Sequence, residues 1–469
     1  MAALHVDYKT IPHQSSSTSL SEDDEYIAFN GSPRTTRWRF QMALINLIEF
    51  AAESSRGLVL PTLFLYCESL GGTLVDMGLI TSVFSIGRLV SSMAFGWLCD
   101  RVSFRTVYML SAFFGVIGNL VYVMADRRVA NSLGVLTLSR FIVGFGAGNR
   151  SVCRADVARM TSVDQRLQYI TILCMVVFLG YALTPGFGSI LVGFDITLFH
   201  LHLDALTAPG FLLAGLNFIM LCLMAVGYDD TIDQGDAPLY RSRGKMTASR
   251  DSGYELPQRL VYFGVAVFMF LNVIGRGVLS VYETINVPLY LQVTGLSNST
   301  AAESAATFQF QLGLLGLLSY LAIEFFRLAI SDTTWLLIGL GSLALGNALL
   351  FLQWPLSLWE LSLSLFFIWS VGSPLLTAVS VAAFSKILGR RQQGTWMGLL
   401  GSTASVSRIV LPLLPALFST FLPMFWLGAI LSVVGIILLV WYSLVISRAK
   451  SEWKRLVAIF PAQSQESLV

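Results

Sequence analysis

The sequence predicts an all-α polytopic membrane protein, with twelve transmembrane helices in two six-helix bundles. Three observations predict it. Hydrophobic side chains make up 55% of the 469 residues and charged ones 12%, with a mean hydropathy of +0.69, whereas a soluble domain carries roughly 25% charged residues. Apolar runs long enough to cross ~30 Å of hydrocarbon, about 20 residues each, recur near 40–64, 74–99, 105–125, 133–158, 167–193 and 207–228. A second set of six follows near 260–291, 305–328, 333–353, 359–387, 394–418 and 422–447. Between the sets lies a polar stretch, 229–258, with the composition of a flexible linker.

Residues 1–39 are rich in Ser, Thr and acids and lack a signal peptide's apolar core and cleavage site. They read as a disordered cytosolic tail. The predicted organisation is therefore 1–39 tail, 40–228 first bundle, 229–258 linker, 259–447 second bundle and 448–469 tail. Orientation follows from charge, because short loops rich in Lys and Arg stay cytoplasmic. With both tails on that side, it holds 21 of the 30 Lys and Arg; the opposite loops hold Arg127 and Arg128, and seven Arg fall inside spans. In this topology Asn298-Ser299-Thr300 is a glycosylation acceptor facing the lumen or exterior. The net charge of +2 argues for no nucleic-acid partner. The lipid bilayer and a small-molecule or ion substrate are the partners expected. No cofactor or metal is predicted, since the five cysteines fall in or beside apolar runs without metal-binding spacing.

Three patterns carry function. Gly96-Trp97-Leu98-Cys99-Asp100-Arg101, ending at Arg105 after the second span, offers a small residue for close helix approach. Its Asp can sit at a neighbouring helix amino end or pair with Arg105. Arg140 precedes a glycine-rich stretch, Gly144-Phe145-Gly146-Ala147-Gly148, in the fourth span, and Pro185 sits among small residues in the fifth. These are the gating candidates: Gly96, Asp100, Arg101, Arg105, Arg140 and Pro185. In this order and at these spans, the patterns resemble the major facilitator superfamily. The second half has no clear copy of the first pattern, only Glu324, Arg327 and Asp332, which predicts an asymmetric gate.

A closer resemblance rests on Gly146-Ala147-Gly148-Asn149 with Arg154, on Glu283-Thr284-Ile285 with Pro288, and on Ser385-Lys386-Ile387-Leu388-Gly389. Gln393-Gly394, Met397-Gly398 and Arg408-Ile409 with Pro412 extend it. These look like the lysosomal ceroid-lipofuscinosis-associated major facilitator subgroup, over about residues 37–445. That resemblance implies an endolysosomal membrane, with the plasma membrane as alternative, and anion transport including chloride conductance. Glu49, Glu53 and Arg88 depart from the subgroup, where small or uncharged residues are expected.

The residues themselves point the same way. A charge at a membrane helix centre costs at least ~2.5–3.5 kcal/mol, so each should face a cavity or a partner. Glu49, Glu53 and Arg56 share one helical face, as do Arg150 and Arg154. In the resembling fold the first, fourth, seventh and tenth spans line a central cavity. Arg154 with Arg150 or Arg276, joined by Arg408, is expected to hold an anion through charge-assisted hydrogen bonds. Glu53 or Glu283, with Glu49 as a further candidate, is expected to carry a coupling proton.

The predicted function is a secondary transporter of a small anion by alternating access; the alternative is an anion channel in which the same arginines line a basic pathway. A membrane-embedded enzyme is not expected, since His5, His13, His200 and His202 all lie outside the spans. Tyr8-Lys9-Thr10-Ile11 and Tyr26-Ile27-Ala28-Phe29 have the form of clathrin-adaptor sorting signals. His200 and His202, flanked by Asp195 and Asp204, read as a solvated loop, with acid sensing or metal binding the sharper alternatives.

Overall fold

The computed structural model describes residues 33–190, 196–198, 201–204, 206–233, 257–295, 301–352, 356–389, 393–418 and 420–459. Tyr8, Tyr26, His200 and Asn298 lie outside them. The first half comprises α1 (Pro33–Gly57), α2 (Leu60–Ser69), α3 (Leu74–Cys99), α4 (Phe104–Met124), α5 (Leu133–Gly146), α6 (Arg150–Met160), α7 (Arg166–Ile190) and α8 (Ala208–Gly227). The second comprises α9 (Gln258–Thr294), α10 (Ala301–Phe326), α11 (Asp332–Leu352), α12 (Leu358–Leu365), α13 (Ser373–Leu388), α14 (Gln393–Val410) and α15 (Leu422–Ile459). Among the described residues, 7 helices are long and apolar enough to cross a membrane, and the others follow the order of the predicted spans. A short hairpin departs from helix between α7 and α8: β1 (Ile196–Leu198) pairs antiparallel with β2 (Leu201–Leu203), Thr197 opposite His202.

Several predicted spans are broken, and the breaks have local causes. The first is interrupted between Gly57 and Leu60, just before Pro61, which has no N–H to donate to the preceding turn. The fourth passes through a 3₁₀ turn, Ala147–Asn149, between α5 and α6. The tenth carries a π-helical segment, Phe366–Gly372, between α12 and α13, the wider turn that often marks a functional position. Ser370 Oγ donates to the Leu312 carbonyl at 2.7 Å and Ser319 Oγ to the Ser370 carbonyl at 2.6 Å, so α10 satisfies backbone that the irregular turn frees.

The glycines of the fourth span allow close packing against the neighbouring helices. A Cβ on Gly144 would strike the Phe84 backbone of α3, and one on Gly146 would come to 3.0 Å from Gly115 N of α4. Trp38 Nε1 donates to the Met160 carbonyl at 2.9 Å and Gln41 Nε2 to the Gly227 carbonyl at 2.8 Å. The start of α1 therefore lies beside the ends of α6 and α8, on the face from which residues 229–233 leave; we call this the linker side.

On that side Asp156, fully buried, is held by Arg159 (2.8 and 3.1 Å), Tyr108 (3.1 Å) and Tyr228, while Arg159 donates to the carbonyls of Asp230 and Ile232. Each polar group in this cluster satisfies another, as burial requires. Asp229, receiving the Thr231 backbone N–H and hydroxyl, has its carboxyl held below the usual range.

Candidate functional site

At the meeting of the halves lies a cavity of about 40 Å³ whose charged wall is Glu53, Arg150, Arg276, Glu283 and Arg408. Five positions singled out from sequence thus converge on one place. Helical spacing explains each: Glu53 and Glu49 lie one turn apart on α1, Arg150 and Arg154 one turn apart on α6, and Arg276 and Glu283 two turns apart on α9. So small a space holds water and nothing much larger.

The three departures from the resembling subgroup form one ionic network. Arg150 Nε donates to Glu49 Oε1 at 3.0 Å, and its terminal nitrogen meets Glu53 Oε1, which also receives Arg88 at 2.7 Å. Arg88 supplies the charge that two carboxylates facing a single Arg150 would lack. Across the cavity one Arg408 nitrogen reaches both oxygens of Glu283, at 2.7 and 2.9 Å. Arg154 and Arg276 are buried, 2% and 9% exposed. Neither has a hydrogen bond or ion pair among the described residues. Arg154 stands beside Arg150 but does not line the cavity; Arg276 does.

The gating candidates separate in space. Asp100 lies at the amino end of α14, the first of the two predicted arrangements: Oδ1 accepts the Gly394 N–H at 2.9 Å, and Oδ2 accepts the Thr395 N–H and hydroxyl, both at 2.6 Å. Arg105 is not its partner; it bonds the Ala225 carbonyl and, through its own N–H, Asp230. Arg101 stays on its own helix, donating to the Trp97 carbonyl at 3.1 Å and lying 3.9 Å over the indole, so it joins no second element there. Gly96 packs on α14: a Cβ there would be 2.6 Å from the Gly394 carbonyl and 2.7 Å from Gly398 Cα. Arg140 stands at the break in the first span, donating to the Ser55 carbonyl at 3.3 Å and lying 4.8 Å from the Phe84 ring. Helix α7 continues through Pro185.

Two features escaped the sequence reading. Arg166 donates to the Ser385 carbonyl at 2.8 Å and the Gly389 carbonyl at 3.4 Å, further bonds between halves on the linker side. Phe178, Leu279, Tyr320, Trp369, Ser373 and Thr377 also line the cavity. Only the Gly372-Ser373-Pro374 sequence, ahead of a helix start, could have signalled the tenth span's contribution.

A model of the Major Facilitator Superfamily matches residues 45–331, more than half the chain. The chain belongs to that superfamily. This facilitator is 21% identical over 465 residues to major facilitator superfamily domain-containing protein 8 of Xenopus laevis, covering 86% of this chain and 90% of that one. Among solved structures it resembles the human organic anion transporter TETRAN, with a TM-score of 0.63 at 19% identity over 87% of this chain and 100% of the other. The fucose–proton symporter of E. coli gives a TM-score of 0.63 at 12% identity over 86% and 99%. At these identities the structures establish a shared fold, and membership of the superfamily makes this facilitator a multi-pass membrane protein.

Proposed function

We propose that this facilitator carries a small anionic solute together with protons by alternating access, in an endolysosomal membrane. The observation that carries the reading is Arg276, a buried guanidinium on the cavity wall with no bonded carboxylate among the described residues, facing Arg150 and Arg408, whose carboxylates are already engaged. Such a group is stable in a low-dielectric site only when an anion meets it. Proton coupling is read from Glu283. Its protonation removes the charge that holds Arg408 and frees that guanidinium for the solute, so proton and anion favour each other's binding.

The bonds from Asp100 and Arg166 across the linker side accord with a carrier, in which one face of the site closes while the other opens. The endolysosomal setting is read from the motifs that resemble the lysosomal subgroup, and the Tyr8 and Tyr26 segments would supply the sorting signal through clathrin adaptors.

The test is current from purified protein in liposomes on a solid-supported membrane, challenged with chloride, phosphate and organic anions at acidic and neutral pH. A saturable, transient, pH-dependent signal absent from Arg276→Ala supports the carrier. A sustained chloride current indifferent to the proton gradient overturns it in favour of a channel. For location, Tyr8→Ala with Tyr26→Ala is expected to move tagged protein to the cell surface; a surface location of the unaltered protein would refute the endolysosomal reading.

A further inference from the structure

The guanidiniums around the central cavity differ in what they hold. Arg150 is committed to Glu49 and Glu53, Arg88 to Glu53 and Arg408 to Glu283. Arg140, although buried, is committed to the Ser55 carbonyl at the carboxyl end of α1, where a cation is favoured. Arg154 and Arg276 remain, each more than nine-tenths buried and without a hydrogen bond or ion pair among the described residues. They come from opposite halves, α6 and α9: Arg276 lines the cavity together with Arg150, and Arg154 stands one helical turn from Arg150.

Two unpaired cations in one desolvated place repel, and each has lost its water. A monovalent anion compensates one of them and leaves the other uncompensated. Two negative charges on one body compensate both, and because the arginines belong to different halves, that body also draws the halves together.

Resting on the reading of the cavity as an anion site, we propose that its solute is a dianion, with charge shared between Arg276 of the second half and Arg154 of the first. Dicarboxylates and divalent oxyanions have this chemistry in common. Arg154 does not line the cavity in this closed form, so the dianion engages it as the halves part and close around the solute. Protonation of Glu283 strengthens the hold on the same dianion by adding Arg408.

The test uses the full-length protein in liposomes, with malonate, succinate and sulfate compared against acetate, propionate and chloride at matched ionic strength. The expected result is saturable transport of at least one dianion, with every monoanion at least tenfold weaker in apparent affinity. Arg154→Gln and Arg276→Gln should each bring the two classes to within about threefold, and Arg154→Lys should keep the dianion preference. A folding defect would not produce such a change of preference. If the Gln variants do not fold, the comparison in unaltered protein decides. A monoanion taken as well as any dianion overturns the proposed valence and leaves the anion reading standing. Folded protein that takes none of these anions overturns both.

Discussion

Asp100 of α3 and Gly394 of α14, 294 residues apart, are joined by a 2.9 Å bond from the Gly394 N–H to the carboxylate. With the two bonds from Thr395, Asp100 becomes an amino-terminal cap supplied by the opposite half. Hydrogen bonds to a charged group contribute about 1.5–3 kcal/mol, which corresponds to roughly a 10- to 150-fold shift in an equilibrium. Asp100→Ala is therefore expected to populate the form open on the linker side. Cys99, 4% exposed beside this contact, reports it: with the other cysteines replaced by Ser, maleimide should label Cys99 at least tenfold faster in the variant. Unchanged labelling would refute Asp100 as a latch.

Helices α3 and α14 approach so closely that a Cβ on Gly398 would sit 2.6 Å from the Ser92 carbonyl, whereas one on Gly341 meets nothing within 4 Å. Overpacking of this kind costs about 1–3 kcal/mol. Gly398→Ala should speed Cys99 labelling as Asp100→Ala does. Gly341→Ala should leave it unchanged and slightly raise the melting temperature, since Ala favours helix.

Anion affinity should be higher with Glu283 neutral than charged, because the neutral acid no longer holds Arg408. Glu283→Gln should bind anion with low-pH affinity at every pH and retain anion exchange while losing proton-driven accumulation. Binding titrations at several pH values check this; a Gln variant that keeps the pH dependence would reassign the proton to another group.

Arg140 satisfies a carbonyl left over at the break in the first span. Arg140→Met leaves that carbonyl buried and unbonded, at a cost of about 1–3 kcal/mol. A clear fall in melting temperature is expected, with Arg101→Ala, which alters only an exposed contact with its own helix, close to unchanged. Equal stability of the two variants would remove Arg140 from its supporting place.

The broad fold was legible because hydrocarbon imposes composition and length on each span independently. The charged wall was legible for a related reason: Glu53, Arg150, Arg276, Glu283 and Arg408 are costly inside a membrane, and cost marks them. Arg88 was visible as an anomaly, but its pairing with Glu53 is a contact across 35 residues of sequence that periodicity cannot supply. Phe178, Tyr320 and Trp369 were hidden because aromatic residues are ordinary in any apolar helix, and which ones face the cavity depends on helix rotation. Arg166 was hidden because it lies among the basic residues expected at a cytoplasmic end, and its acceptors are carbonyls, which carry no side-chain signature.

Asp100 holds the amino end of α14, and Arg166 holds carbonyls at the carboxyl end of α13, so the turn between the tenth and eleventh spans is gripped at both ends by side chains of the first half. The second half contributes only backbone and the Thr395 hydroxyl. Substitutions along that turn can therefore accumulate without loosening the seal, provided Gly394 stays small, whereas either charge in the first half, once changed, has no substitute across the interface. At this turn the contact between halves is specified from one side of the molecule, and its heritable weak points are Asp100 and Arg166 rather than two matching pairs.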